Sequence, residues 1–387
     1  MFFCWYYISD SPLFGIKSFF MTAFLSLRKK LICFCCAASL RVVYFYMIAR
    51  DGGGGLTAAP VIFYSDFLWV LNGGVPMIVT VTLNPAVDEE YELPEFRVGE
   101  FSRAASSQRT AGGKGINVAL MLAQLGYSAA AMGFLAGFNG EYIRDALRRQ
   151  NVTTNFVHVQ GETRTNVYIA DSKNGSGTRI AEKGPVIDED ALKRFMTSYR
   201  RMINRASAVV IGGSLPGGVP FDFYKSLCLI ARQAGLPVFI DANGDAFLSA
   251  LDALPNFVKI PDDMIGVLAG TSGDSLEAAV AAVKNVRSRG IPWAAASYRV
   301  YGDVFATPDG VFLTTADVQG DSASLFTAAD ALVAGIVVAE AEGMRTEGSI
   351  RFSMACAMEN ASHVLKGVGG REAVERFLNR VRVERID

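Results

Sequence analysis

The chain has 387 residues, a formal net charge of −1 and a hydrophobic share of 51%. That is enough apolar material for one large α/β domain or two ordinary ones. Near-neutrality, with no arginine-rich run interleaved with aromatics, excludes a general attraction to nucleic acid or to acidic surfaces. Of the six cysteines, Cys4, Cys33, Cys35 and Cys36 lie at the start, while Cys228 and Cys356 are far apart. A disulfide framework is therefore not expected, and a reducing, cytoplasmic compartment fits. Cys33-x-Cys35-Cys36 has no second cysteine pair, and His158 and His363 are remote from it, which argues against a metal site.

Residues 1–76 differ from the rest. They are rich in Phe, Tyr, Trp and Cys and poor in acidic residues. The apolar stretch 31–48, preceded by Arg28, Lys29 and Lys30, reads as a membrane anchor or an uncleaved signal. It is short for a span and carries Arg41 near its middle, where a charge is costly. The glycine run 52–55 reads as a flexible break. The segment has no clean helical or strand period, whereas Met77 stands directly before one. The expectation is an atypical extension over 1–76, outside the functional protein, and a functional domain over 77–387.

From Met77 onward, apolar strand-like runs alternate with amphipathic helical stretches. Residues 78–82 predict a strand, and 115–125 a helix stopped by Gly126. A strand over 207–211 leads into the turn Gly212-Gly213-Ser214. A helix over 223–233 precedes a strand over 237–240 that ends at Asp241, and 257–260 predicts another strand. Residues 275–289 predict a helix, 293–297 a strand, and 328–342 and 354–365 two more helices. Such alternation predicts an α/β fold: a mostly parallel central sheet with helices on both faces. Two segments break the pattern, 90–103 and 163–180, alternating polar with apolar residues like short antiparallel strands. They predict a small β lid over a ligand crevice at the strand ends.

The strongest local motif is Ala111-Gly-Gly-Lys-Gly-Ile-Asn-Val-Ala119. Glycines allow close backbone approach, and the helix that follows presents its N-terminus to anions or hydroxyls. Gly115 after Lys114 excludes a Walker A loop, and the spacing excludes a Rossmann fingerprint. Taken alone, the motif fits a glycine-rich helix cap equally well. Three further segments change that balance. Thr82-Leu-Asn-Pro-Ala-Val-Asp88 puts a carboxylate just past a strand end, suited to sugar hydroxyls. Gly161-Glu-Thr-Arg-Thr-Asn166 offers Arg164, a planar donor suited to phosphate. Gly212-Gly-Ser-Leu-Pro-Gly-Gly-Val219 places Ser214 in a flexible turn at another strand end. Singly, Asp88 is a turn former, Arg164 a surface charge and Ser214 a helix cap.

In this order, the four motifs resemble the phosphofructokinase B family of carbohydrate kinases, in its 1-phosphofructokinase and tagatose-6-phosphate kinase branch. The similarity runs from Met77 to near the C-terminus. The resemblance implies a ribokinase-like fold with a small β lid. It implies Mg²⁺-dependent transfer of the ATP γ-phosphoryl group to a ketose phosphate, foremost fructose 1-phosphate. It further implies a homodimer joined through the lid. By resemblance, Asp88, Gly113, Lys114, Asn117, Arg164 and Ser214 line the sugar-phosphate site, with Arg103 beside them. The family's Gly-Ala-Gly-Asp turn, which holds the transferring phosphoryl group on its amides, reads Thr327-Ala328-Ala329-Asp330. Asp330 is then the general base, and a lost glycine costs about 1 kcal/mol if its position needs positive φ.

The nucleotide half departs from the family further. Lys-Pro-Asn-x-x-Glu, linked to the metal and nucleotide, reads Ile260-Pro-Asp-Asp-Met-Ile265, leaving Asp262 as a weak link to Mg²⁺. Ser-x-Gly-x-x-Gly reads Ser297-Tyr-Arg-Val-Tyr-Gly302, with Arg299 in place of a glycine. Asn-Glu-Pro-Gly-Pro reads Ala181-Glu-Lys-Gly-Pro185. These departures favour an alternative, a catalytically impaired sugar-phosphate-binding protein. A kinase acting on a free sugar or nucleoside is a third reading, opposed by Arg164 and Lys114.

Overall fold

The computed structural model describes residues 30–33, 42–50, 56–64, 77–271, 275–299, 302–316, 327–362 and 367–387. The chain divides into two units, residues 1–76 and 77–387. In the first, β1 (Lys30–Cys33), β2 (Val42–Arg50) and β3 (Leu56–Tyr64) form an antiparallel sheet in that order. The sequence suggested no strand period here, yet runs such as Val42-Val-Tyr-Phe-Tyr46 are rich in β-branched and aromatic residues. The described parts of the apolar stretch 31–48 are thus strands. Among the described residues no helix is long and apolar enough to cross a membrane. Arg41, Cys35, Cys36 and the glycine run 52–55 lie outside the described residues.

The second unit runs β4 (Met77–Thr82), β5 (Ala86–Leu93), β6 (Ser106–Gly112), α1 (Lys114–Gln124), β7 (Ser128–Leu135), α2 (Gly137–Arg149) and β8 (Thr153–His158). It continues with β9 (Arg164–Asp171), β10 (Ser176–Ala181), α3 (Glu189–Ile203), β11 (Ala206–Gly213), α4 (Phe223–Gln233), β12 (Val238–Ala242) and α5 (Gly244–Leu251). Next come β13 (Phe257–Ile260), α6 (Asp262–Ala269), α7 (Leu276–Ser288), β14 (Trp293–Arg299), β15 (Gly302–Thr307) and β16 (Gly310–Ala316). The chain closes with α8 (Ala328–Ala341), α9 (Thr346–Ala361), α10 (Arg371–Glu375) and β17 (Val381–Arg385).

The main sheet has the order β17-β16-β15-β14-β13-β12-β11-β4-β7-β8. From β14 to β8 every pairing is parallel, and the β15–β17 edge is antiparallel. The parallel strands are buried on both faces, which is why they read as continuous apolar runs. One face packs Val79, Val209 and Val258 against α3 to α7, with Phe195 of α3 between the rings of Phe134 (5.3 Å) and Phe223 (6.0 Å). The other face packs Ile78, Val210 and Phe257 against α1, α2, α8 and α9. Local signals agree with these elements. Asp188 caps α3 by accepting from the Ala191 amide (2.7 Å), and Ser275 caps α7 by accepting from Ala278 (3.2 Å), each worth about 1 kcal/mol.

Two expectations need correction. The helix read over 354–365 starts at Thr346, because Gly348 and Ser349, loop-like in sequence, lie inside it. The lid segment read over 90–103 is mostly the connection between β5 and β6, where Pro94 ends strand pairing and Gly99 takes φ +86°. The lid sheet has the order β10-β9-β5-β6, and its central pair, β5 with β9, is parallel rather than antiparallel. Its two hairpins come from distant chain segments and meet side by side.

Candidate active site

The chain leaves the carboxyl ends of β4, β11, β12 and β13 on one rim of the sheet. β4 is the first strand of this sheet, and β7 and β11 flank it, so the strand order reverses there. Ligands of open α/β sheets bind at such a switch point. A cleft of about 1710 Å³ lies there, with sheet ends on one side and the lid strands on the other.

On the lid side, Asp88 sits on the cleft-facing row of β5 and accepts a hydrogen bond from Asn166 Nδ2 (2.7 Å). Gly112 lies opposite Ala86 in the β5–β6 pairing. A β-carbon at Gly112 would lie 2.0 Å from the Asp88 carboxylate, so the motif's first glycine makes room for that side chain. The second, Gly113, turns the chain into α1 at φ +117°, a conformation that favours glycine. Lys114 opens the helix, and its Nζ lies 2.6 Å from Asp241 Oδ1 at the end of β12. Desolvation opposes the ammonium charge, but Asp241, Asp330 and Asp262 outweigh it and hold the lysine above its ordinary pKa.

Arg164 directs Nε and Nη2 at the Asn84 carbonyl (3.3 and 3.1 Å) and Nη1 at the Glu182 carbonyl (3.2 Å). Desolvation lowers its pKa, and Asp88, Tyr224 and Glu182 partly restore it. Ser214 Oγ accepts from Asn84 Nδ2 (3.3 Å). Tyr224 steadies this turn, its hydroxyl donating to the carbonyls of Gly212 (3.2 Å) and Ser214 (3.4 Å). Arg103 does not join this group. It is exposed on the β5–β6 connection, 5.8 Å from the Phe101 ring, and does not line the cleft.

Across the cleft, Asp330 lies buried in the first turn of α8. Asn117, from the first turns of α1, donates Nδ2 to its Oδ2 (2.7 Å). Thr327 precedes α8 at φ −116°, and Ala329 is helical. Among the described residues only Asn151 and Leu254 combine a side chain with positive φ. The strain expected from the two missing glycines therefore does not arise. The Thr327 hydroxyl donates instead to buried Asn360 Oδ1 (3.0 Å), whose Nδ2 donates to the Gly367 carbonyl (2.7 Å). No side chain caps α8, and its first residues, Ala328 and Ala329, line the cleft, where uncapped helix amides can serve an anion.

Asp262 and Asp263 begin α6 and line the cleft, and so does the largely buried Ile265. Ser297 lines it too, accepting from Lys259 Nζ (2.8 Å) and donating to Asp303 Oδ1 (2.6 Å). Gly302 is buried in β15 and does not line the cleft, and Arg299 pairs with it across an irregularity in the β14–β15 register.

Sequence reading passed over Asn84, Asn166, Arg179, Asp241, Lys259 and Asp303 as site residues. Asn84 and Asn166 lie inside motifs already singled out, and Asp241 closes a predicted strand, so a signal existed. Lys259, Ser297 and Asp303 meet only because three neighbouring strands share a register, which single segments do not reveal. Buried polar atoms of Thr82, Asn84, Asn117, Asn166 and Asp241 have no hydrogen-bond partner within the protein. Such atoms are costly unless a ligand satisfies them. These five line one cleft, where the hydroxyls and charges of a ligand can satisfy them.

The profile described as pfkB family carbohydrate kinase matches residues 80–367. The chain is 31% identical over 310 residues to the 1-phosphofructokinase of Bacillus subtilis (strain 168), covering 80% of this chain and 100% of that protein. The crystal structure of a possible 1-phosphofructokinase from Thermotoga maritima superposes with a TM-score of 0.74 at 32% identity, covering 80% of this chain and 100% of that one. Phosphofructokinase-2 of Escherichia coli, in complex with substrates and products, shares the fold with a TM-score of 0.70 at 22% identity, covering 78% and 98%. The parallel sheet, the lid and the motifs at the strand ends therefore have a common origin: this chain belongs to the pfkB family of carbohydrate kinases, enzymes that transfer a phosphoryl group to a sugar.

Proposed function

We propose that the protein transfers the γ-phosphoryl group of ATP to a hydroxyl of a ketose phosphate, with fructose 1-phosphate as the acceptor and fructose 1,6-bisphosphate as the product. The observation that carries this reading is Asp330, buried at the uncapped N-terminus of α8 and held by Asn117. A carboxylate there can take the acceptor proton as the hydroxyl oxygen attacks phosphorus. The oxygen–phosphorus bond forms, the bond to ADP breaks, and the proton rests on Asp330. The amides at Ala328 and Ala329 stabilise charge on the transferring oxygens. Asp88 and Asn166 orient sugar hydroxyls, and Lys114 tempers the carboxylates around it.

Among the described residues no three acidic, histidine or cysteine side chains form a direct metal cage. Magnesium usually keeps several waters and binds through substrate phosphates and one or two carboxylates. The unpaired oxygen of Asp241, with Asp262 and Asp263 nearby, fits that mode. When bound, Mg²⁺ neutralises nucleotide phosphate charge.

The binding-only alternative draws no support from the backbone, because Thr327 and Ala329 carry no positive-φ strain. The test is ADP release in Mg·ATP with fructose 1-phosphate, tagatose 6-phosphate and fructose 6-phosphate, repeated for Asp330→Asn. Sugar-dependent release is expected from the natural protein, with a loss of roughly 10²-fold or more in the variant and unchanged sugar binding. Turnover retained in the variant would remove Asp330 from the base role. No release with any of the three sugars would sink the kinase reading.

A further inference from the structure

Thr327-Ala-Ala-Asp330, followed by the apolar run Ala331-Leu-Val333, carries the signature of a capping box. In such a box the threonine hydroxyl accepts from the amide of the acidic residue, and the acidic side chain reaches back to the threonine amide. Left to itself, this segment would cap α8 with its own side chains. The helix would gain stability. The amides that can serve a transferring phosphoryl group, and the carboxylate proposed as base, would then be engaged with each other's neighbours instead of with a ligand.

The threonine half of that box is not formed. The helices α3 and α7, which are capped by a side chain, start from residues in extended backbone, Asp188 at ψ 168° and Ser275 at ψ 162°. Thr327 has ψ 9°, and its side chain does not cap α8. Its hydroxyl donates instead to Asn360 Oδ1 on α9 (3.0 Å). The orientation of Asn360 is set from behind, because its Nδ2 donates to the Gly367 carbonyl (2.7 Å) and only Oδ1 is left to face Thr327. Gln124, at the end of α1, accepts from the Val368 amide (2.8 Å), and its side chain leaves room only for a glycine at 367. Thr327, Asn360 and Asp330 are all buried, so water has little access to these bonds. On the other side of the turn, Asn117 Nδ2 donates to Asp330 Oδ2 (2.7 Å). Two asparagines, one from α9 and one from α1, thus draw the two halves of the box toward different helices.

We propose, resting on the phosphoryl-transfer reading above, that Asn360 is a positioning residue: it holds the Thr327 side chain off α8 and so keeps the first amides of the helix open to the transferring group. Asn360→Leu removes the acceptor, and Thr327 then falls back to the capping conformation that its sequence favours. Adding Thr327→Val leaves no oxygen to cap with. The natural full chain and these two variants are compared by kcat and KM for fructose 1-phosphate in Mg·ATP. They are also titrated calorimetrically with ADP and aluminium fluoride, a mimic of the phosphoryl group in transfer, with fructose 1-phosphate present. Asn360→Leu should lower kcat and weaken binding of the mimic roughly tenfold or more, with the KM for the sugar within about twofold. Adding Thr327→Val should recover most of both losses, which a merely structural role for Asn360 would not allow. The proposal is overturned if Asn360→Leu changes neither quantity, if Thr327→Val brings no recovery, or if the natural protein does not bind the mimic. Should circular dichroism show Asn360→Leu alone unfolded, the double variant, apolar at both partners, still decides: it should bind the mimic, and no binding overturns the proposal. The titration needs no turnover. Loss and recovery of mimic binding without ADP release would sink the kinase reading alone, and ADP release without that recovery would sink only this one.

Discussion

Asn117 reaches Asp330 from a different helix, so the orientation of the proposed base depends on a residue that takes no proton itself. Asn117→Leu keeps the volume and removes the donor. Steady-state kinetics should show kcat falling by roughly 10- to 100-fold with the KM for ATP unchanged. A fall confined to the KM for the sugar would make Asn117 a binding residue only. At this scale the sequence was informative where chemistry and chain proximity coincide. Asp88, Gly113, Lys114, Arg164 and Ser214 sit in short motifs, and all line the cleft. Arg103 was legible as a cation, but its place on an exposed connection was not. The loss of two glycines before Asp330 pointed to a damaged anion site, yet whether a glycine is required depends on φ. At Thr327 and Ala329 that angle suits any residue.

Secondary elements were legible where period and punctuation agree. The helix over 223–233 and the strand over 257–260 fall where predicted. The antiparallel edge from β15 to β17 was not, because its pairing is set by partners far along the chain. The same holds for the contact that joins α1, α8 and α10. Glu342, just past α8, accepts from Tyr127, just past α1, and from Arg371 at the start of α10 (Nη2 at 2.8 Å). The hydrogen bond from Arg371 holds Glu342 below the ordinary glutamate range, while desolvation and Glu342 push Tyr127 up to about 12. A depressed carboxylate contributes stability above its unfolded pKa and loses it as pH falls through the folded one. A raised tyrosine contributes below its ordinary value of 10.0 and loses it toward about 12. These groups are partly exposed, so Glu342→Gln should cost only about 1 kcal/mol near neutrality. Urea unfolding should show that difference vanishing once Glu342 is protonated in the folded state. A difference that persists in acid would mean that packing, not charge, is at work.

For the whole molecule, we propose that the kinase resides in residues 77–387 and that two copies associate through the outer face of the lid. That face carries half-buried Ile169 and exposed Ile180. A chain beginning at Met77 should keep kcat/KM within about twofold and elute at twice its monomer mass in light scattering. Lost activity would bring residues 1–76 into the functional unit, and a monomeric mass would remove the lid interface. The side-by-side meeting of the two lid hairpins also imposes an order of assembly. β5 and β9 are separated in the chain by β6, α1, β7, α2 and β8, and parallel pairing between them must await closure of that long loop. In refolding, helical circular dichroism should therefore recover before the capacity to bind sugar phosphate, and simultaneous recovery would contradict this order. The pairing of β4 with β11 and the Asn117–Asp330 contact close still longer loops, so a refolding chain would pass through a stage with helices formed but with neither the lid nor the site assembled. With lid and proposed base both waiting on long-range contacts, a half-folded chain would have no assembled site in which to spend ATP on water.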